Sequence, residues 1–275
     1  MIIDTHAHLN FSAFDNDREA VIKRAIDEGI YMINAGTKYS TSKKAIEIAS
    51  SFDKGVYAAI GLHPIHLETG LVKVKNDGEE EIEINAKEEF FNKEKYLELA
   101  KNDKVVAIGE VGLDYWYKPK GTAKKELFKQ KQKEVFLQNI EIAKELDLPL
   151  IIHCRVAHED LWEIIKDIEI KGVLHCFTGG IKELEKYLSK GLYIGLNGII
   201  FSFNSEEVIK KVPLNRILVE TDCPYLTPPA FKGQRNEPLF IKEVIKEIAI
   251  IKEISFKEVK EQTTLNAKKL FNLDL

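Results

Sequence analysis

Six residues with metal-binding side chains stand where short apolar runs end: His6, His8, Glu110, His153, His175 and Asp222. His6 and His8 are two positions apart, and in extended backbone such residues point to the same face, so both imidazoles reach one ion. A helix would splay them. Alone, His-x-His is a short motif that ordinary histidines also satisfy; four further ligand-type residues in equivalent positions give it weight. Glu110 lies in Ile-Gly-Glu-Val-Gly-Leu-Asp-Tyr, between glycines that allow close backbone approach. Its two carboxylate oxygens are able to bridge adjacent cations, and a buried glutamate without a cation would be costly. The other reading of Glu110 is an exposed loop residue, against which the apolar run Val105–Ile108 speaks.

His153 ends Leu-Pro-Leu-Ile-Ile-His, and His175 ends Gly-Val-Leu-His. Asp222 stands in Val-Glu-Thr-Asp-Cys-Pro-Tyr, where Pro224 enforces an abrupt turn; its alternatives are a salt bridge or a metal ligand that also accepts a proton from an attacking water. Asp114 is placed either to orient a histidine or to make a turn, and Glu220 either to support the site from beneath or to end its strand.

Four histidines and two carboxylates exceed what one tetrahedral ion with an open position needs, so two divalent ions bridged by Glu110 is the economical arrangement. His6, His8, Glu110 and Asp222 are assigned to one ion, and Glu110, His153 and His175 to the other. A thiolate-free nitrogen and oxygen shell suits zinc, manganese, iron, cobalt or, with more waters, magnesium. A structural zinc site would be closed and usually contain cysteine, whereas open positions point to hydrolysis, with Glu110 and Asp222 as the catalytic carboxylates. Around this set, His63, Arg155, Lys232 and Arg235 are candidates for clamping phosphate. His66 and His158 read as surface histidines. Cys154 and Cys176 each follow a ligand on a strand and are expected to point outward as small buried groups.

These residues need a scaffold that gathers them. Runs rich in Ile, Val and Leu recur at Ile2–Thr5, Ile30–Ala35, Val56–Gly61, Val105–Gly109, Leu150–His153, Gly172–His175, Leu192–Leu196 and Arg216–Glu220, with helical patterns between them. Eight β/α repeats predict a closed (β/α)8 TIM barrel, in which strand C-termini converge on one mouth. A doubly wound open sheet would carry a glycine-rich phosphate loop after an early strand, and none is present. No repeat and no Pro/Gly/Ser-rich linker divides the chain, so residues 1–275 are read as one domain. Val72–Phe90 is a charged, weakly periodic interruption of the third unit, expected to be solvated. The lysine-rich stretch Lys118–Lys133 opens a long helix and follows a strand end, where barrels place substrate.

The 40 Lys+Arg against 44 Asp+Glu leave a net charge of −4, so any polyanion site must be local. Three cysteines make no disulfide framework and point to a reducing compartment, the cytoplasm. No apolar run approaches the ~18 residues of a membrane span. The opening Met-Ile-Ile-Asp-Thr-His lacks signal-peptide character and reads as mature protein. Nothing in the chain calls for an obligate protein partner.

The chain resembles the TatD family of metal-dependent deoxyribonucleases, within the amidohydrolase-like barrels. The resemblance rests on ordered motifs spanning nearly the whole sequence: Asp-Thr-His-Ala-His, Gly-Leu-His-Pro, Gly-Glu-Val-Gly-Leu-Asp-Tyr, Ile-Ile-His-Cys-Arg, Leu-His-Cys-Phe-Thr-Gly, Glu-Thr-Asp-Cys-Pro-Tyr-Leu, Arg-Asn-Glu-Pro and a C-terminal Thr-x-Asn-Ala-x-x-Leu-Phe. It implies a divalent-metal phosphoesterase acting on DNA, often from the 3′ end of single strands, with ligands at the six positions above and phosphate contacts near His63 and Arg155. The sequence departs from the family at Val72–Phe90 and Lys118–Lys125, both near the expected mouth. Relatives are similar to D-aminoacyl-tRNA deacylases, so an amidohydrolase or esterase is the alternative activity, and a metal-binding scaffold the non-enzymatic one. Phosphotriesterase-like relatives bridge two metals through a modified lysine; Glu110 in that place favours the nuclease.

Overall fold

The computed structural model describes residues 1–67, 89–203 and 205–274. Among these residues eight strands form one parallel sheet in sequence order: β1 (Ile2–Ala7), β2 (Ile30–Ala35), β3 (Val56–Ile60), β4 (Val105–Asp114), β5 (Leu150–Arg155), β6 (Gly172–Leu174), β7 (Tyr193–Leu196) and β8 (Ile217–Val219). Between and after them lie α1 (Arg18–Asp27), α2 (Tyr39–Ser50), α3 (Lys93–Leu99), α4 (Thr122–Glu145), α5 (His158–Ile165), α6 (Ile181–Ser189), α7 (Glu206–Lys211), α8 (Ile241–Lys252) and α9 (Phe256–Phe271). The predicted barrel is the observed architecture. The expected excursion Val72–Phe90 falls outside the described residues except for its last two positions. Among the described residues no helix is long and apolar enough to cross a membrane.

Strand alternation sorts the core into two layers. Ile2, Met32, Ala58, Ile152 and Val219 pack toward the helices, while Ile3, Ile33, Ala59, Ile151 and Leu218 form a second cluster inside the barrel. Ala267, Leu270 and Phe271 of α9 join that inner cluster. Thr264 Oγ1 donates to the Met1 carbonyl at 3.1 Å, and Asn266 Nδ2 to those of Leu214 and Ile217 at 2.9 and 2.8 Å. The C-terminal Thr-x-Asn-Ala-x-x-Leu-Phe motif therefore closes the end where strands begin, opposite the candidate ligands. Phe271→Ala should cost about 3–5 kcal/mol in chemical denaturation while leaving metal bound per folded chain unchanged; a cost below ~1 kcal/mol would contradict this plugging role.

Side chains sew the seam between β8 and β1. The Asp4 carboxylate accepts hydrogen bonds from the Thr221 N–H at 2.9 Å and the Thr221 hydroxyl at 2.5 Å, and Thr5 Oγ1 donates to the Val219 carbonyl at 3.1 Å. Beyond the strands, Asp222 N–H donates to the His6 carbonyl and His8 N–H to that of Cys223. The seam thus brings two ends of the chain, and two candidate ligand segments, into register.

Candidate metal centre

Backbone irregularity aims the ligands. The β1–β2 register shifts between Asp4 and Ala7, around His6, and the β4–β5 register shifts between Ile108 and Val111, around Glu110. Such interruptions turn side chains toward a mouth that regular alternation would leave facing the helices. Glu110 and Asp114 therefore lie within a strand longer than the expected Val105–Gly109. Gly112, at φ +147°, passes so close to β5 that a Cβ would strike the His153 carbonyl.

All six candidate ligands converge. His6 Nε2 and His8 Nε2 are 3.0 Å apart and lie 3.6 and 3.3 Å from Asp222 Oδ1. Glu110 divides its oxygens: Oε2 is 3.4 Å from His6 Nε2 and 3.6 Å from His8 Nε2, while Oε1 is 2.8 Å from both His153 Nδ1 and His175 Nε2. Ions with ligand bonds of about 2.1 Å set neighbouring donors about 3.0 Å apart in octahedra and about 3.4 Å apart in tetrahedra. The donor spacings match these edges, so the residues fit divalent cations.

Proton positions agree with that role. The Ala35 carbonyl, 3.0 Å from His8 Nδ1, takes its N–H and leaves the Nε2 lone pair facing the cluster. Asp114 Oδ2, 3.2 Å from His153 Nε2, does the same for His153 Nδ1. Asp114 Oδ1 also accepts the Trp116 N–H, so it orients a histidine and makes a turn at once. Burial disfavours charge on Glu110, yet the neighbouring imidazoles of His63, His175 and His6 hold its carboxyl well below the usual range. Burial likewise opposes Asp222, and His8, His6 and His175 hold it low. Both carboxylates stay ionised, as metal ligands must.

Glu220 supports His175 from beneath: its Oε1 lies 3.4 Å from His175 Nδ1 and accepts the Cys176 N–H and the Asn197 amide at 2.7 and 3.0 Å. His63 belongs to the cluster too. Its Nδ1 accepts the Ile65 N–H at 3.1 Å, so Nε2 carries the proton and donates toward Glu110 Oε1 at 3.3 Å. Arg155 lies at the end of β5 with its guanidinium over the Trp116 ring, 4.8 Å from the centroid.

Several expectations are corrected. Arg235 is not delivered as a clamp: it donates to the Ala13 carbonyl and to Asp17, with its guanidinium on the Phe14 ring. Beside it, Asn236 donates to the Thr221 and Tyr225 carbonyls, and Glu237 forms a two-pronged ion pair with Arg24. Arg-Asn-Glu-Pro is a latch that holds the loop bearing Asp222 against α1 and its lead-in. His66 is buried, which pushes its pKa down to about 3, and His158 is half-buried, 3.3 Å from Cys154 Sγ and 3.0 Å from Tyr187 Oη; neither is a surface histidine. Cys154 packs outward as expected, but strand β6 ends at Leu174 and Cys176 takes φ +46°, so strand alternation does not reach it. The lysine-rich helix begins at Thr122 rather than Lys118.

A parallel barrel with clustered histidines and carboxylates at its mouth defines the class of metal-dependent hydrolases. The TatD related DNase family model matches residues 3–272, and the chain belongs to the TatD family as a metal-dependent hydrolase. It is 39% identical to the uncharacterized metal-dependent hydrolase YabD of Bacillus subtilis over the full length of both chains. It is 33% identical to the 3′–5′ ssDNA/RNA exonuclease TatD of Erwinia tasmaniensis, across 99% of this chain and all of that one. The solved structure of YjjV, a TatD homolog from Escherichia coli K12, superposes with a TM-score of 0.81 at 28% identity, covering 99% of this chain and 98% of that one.

Proposed function

We propose that this chain hydrolyses phosphodiester bonds of single-stranded DNA from the 3′ end, using two divalent ions held by His6, His8, Glu110 and Asp222 on one side and Glu110, His153 and His175 on the other. The observation that carries the reading is the division of Glu110's two oxygens between two groups of imidazoles. The nuclease named among the relatives supports the substrate class. Magnesium, manganese and zinc all suit the donor set.

Bound there, the ions would polarise the phosphodiester and lower the pKa of a water. The chain's residues do the rest. Asp222 accepts the proton of the attacking water, because its carboxylate is ionised and faces His6 and His8. His63 would redirect its Nε2–H from Glu110 Oε1 to a phosphoryl oxygen, and Arg155 contacts a neighbouring phosphate. Free Cys154, Cys176 and Cys223 support a cytoplasmic setting.

Turnover of end-labelled single strands, with a panel of metals, tests the reaction; cleavage of neutral esters or amides without any cleavage of DNA would replace it with the esterase alternative. The phosphate contact has its own test. In a metal-loaded Asp222→Asn background, oligonucleotide binding should weaken as salt rises, and adding Arg155→Ala should weaken it further and flatten the log–log salt slope by about one. An unchanged slope removes Arg155 from the phosphate path.

A further inference from the structure

We propose that Trp116, backed by Arg155, is a stacking platform for one unpaired nucleobase beside the cleaved phosphodiester; this deepens the nuclease reading and rests on it for the identity of the substrate. Trp116 is 57% exposed at the mouth, an unusual place for the largest apolar side chain. Its placement is fixed from both sides. Asp114 holds its backbone through the 2.8 Å bond from the Trp116 N–H, and the same carboxylate touches His153 at 3.2 Å, so one side chain links the platform to the candidate metal centre. The Arg155 guanidinium lies 4.8 Å from the Trp116 ring centroid and 5.6 Å from that of Tyr117. Cation–π contact sets the plane of the guanidinium, whose donors lie on its edge, in keeping with a phosphate contact next to a stacked base.

The surroundings select a polyanion. Lys118, Lys120 and Lys124 are exposed on the turn and first residues of α4 that directly follow Trp116 and Tyr117. Aromatic rings interleaved with lysines suit single-stranded nucleic acid, since every base offers a π face. Inside a duplex both faces of a base are already stacked on neighbours, and at a blunt end pairing ties the terminal base to its partner, so the platform favours unpaired strands.

The chain has two tryptophans, Trp116 and Trp162, and Trp162 lies on α5, so Trp162→Phe isolates the Trp116 fluorescence. In the Asp222→Asn background, a short oligothymidylate should quench that fluorescence to saturation, whereas an abasic oligonucleotide of equal length and a blunt duplex should not. By anisotropy of a labelled oligothymidylate, Trp116→Ala should lose affinity about tenfold or more and Trp116→Phe should recover most of it. Equal responses to base-bearing and abasic strands, or unchanged affinity in Trp116→Ala, would overturn the platform. Quenching without hydrolysis by the wild type would keep the platform and remove the nuclease reading; hydrolysis without quenching would do the reverse.

Discussion

Glu110→Gln should abolish hydrolysis, with turnover falling about a thousandfold or more, which is at least ~4 kcal/mol of lost transition-state stabilisation. The amide keeps the shape of the side chain and removes the charge. An amide offers one oxygen where the carboxylate presents Oε2 to His6 and His8 and Oε1 to His153 and His175. The two halves of the centre then lose their common ligand. Circular dichroism should show the barrel intact, because the strands on either side are held by their own ladders. Unchanged turnover in a folded Glu110→Gln protein would sink the bridged centre.

Asp222→Asn should lower the catalytic rate at saturating substrate by about 10²–10⁴-fold while KM changes much less. The amide retains an oxygen at the position that faces His6 and His8 but takes no proton from water. The alternative role, a purely structural salt bridge, predicts the opposite pattern: a survivable rate and a lower melting temperature. Measuring kcat, KM and thermal midpoint on the same preparation separates the two.

Most of the barrel was legible because each parallel strand is buried on both faces and so shows as a short run of Ile, Val and Leu. The six candidate ligands were legible for a related reason: a polar residue at the end of such a run has few structural uses. What stayed hidden depends on contacts between distant segments. Asp4 sits inside the recognised Asp-Thr-His-Ala-His motif, yet its bonds to Thr221 span 217 positions and carry no local signature. Arg235 has the residue type of a phosphate clamp, and only the fold reveals Ala13 and Asp17 already engaging it. His66 and His158 look like surface residues because burial of an isolated histidine leaves no periodic trace. The extension of β4 through Glu110 to Asp114 was missed because two glycines there resemble a loop.

Elemental analysis of metal per folded chain, with titration of metal into chelator-stripped protein, tests the proposed two-ion centre bridged by Glu110. Two ions per chain are expected in the wild type, with at least one lost in Glu110→Gln. Binding of a single ion that survives Glu110→Gln, in a protein that still turns over, would contradict the bridged centre.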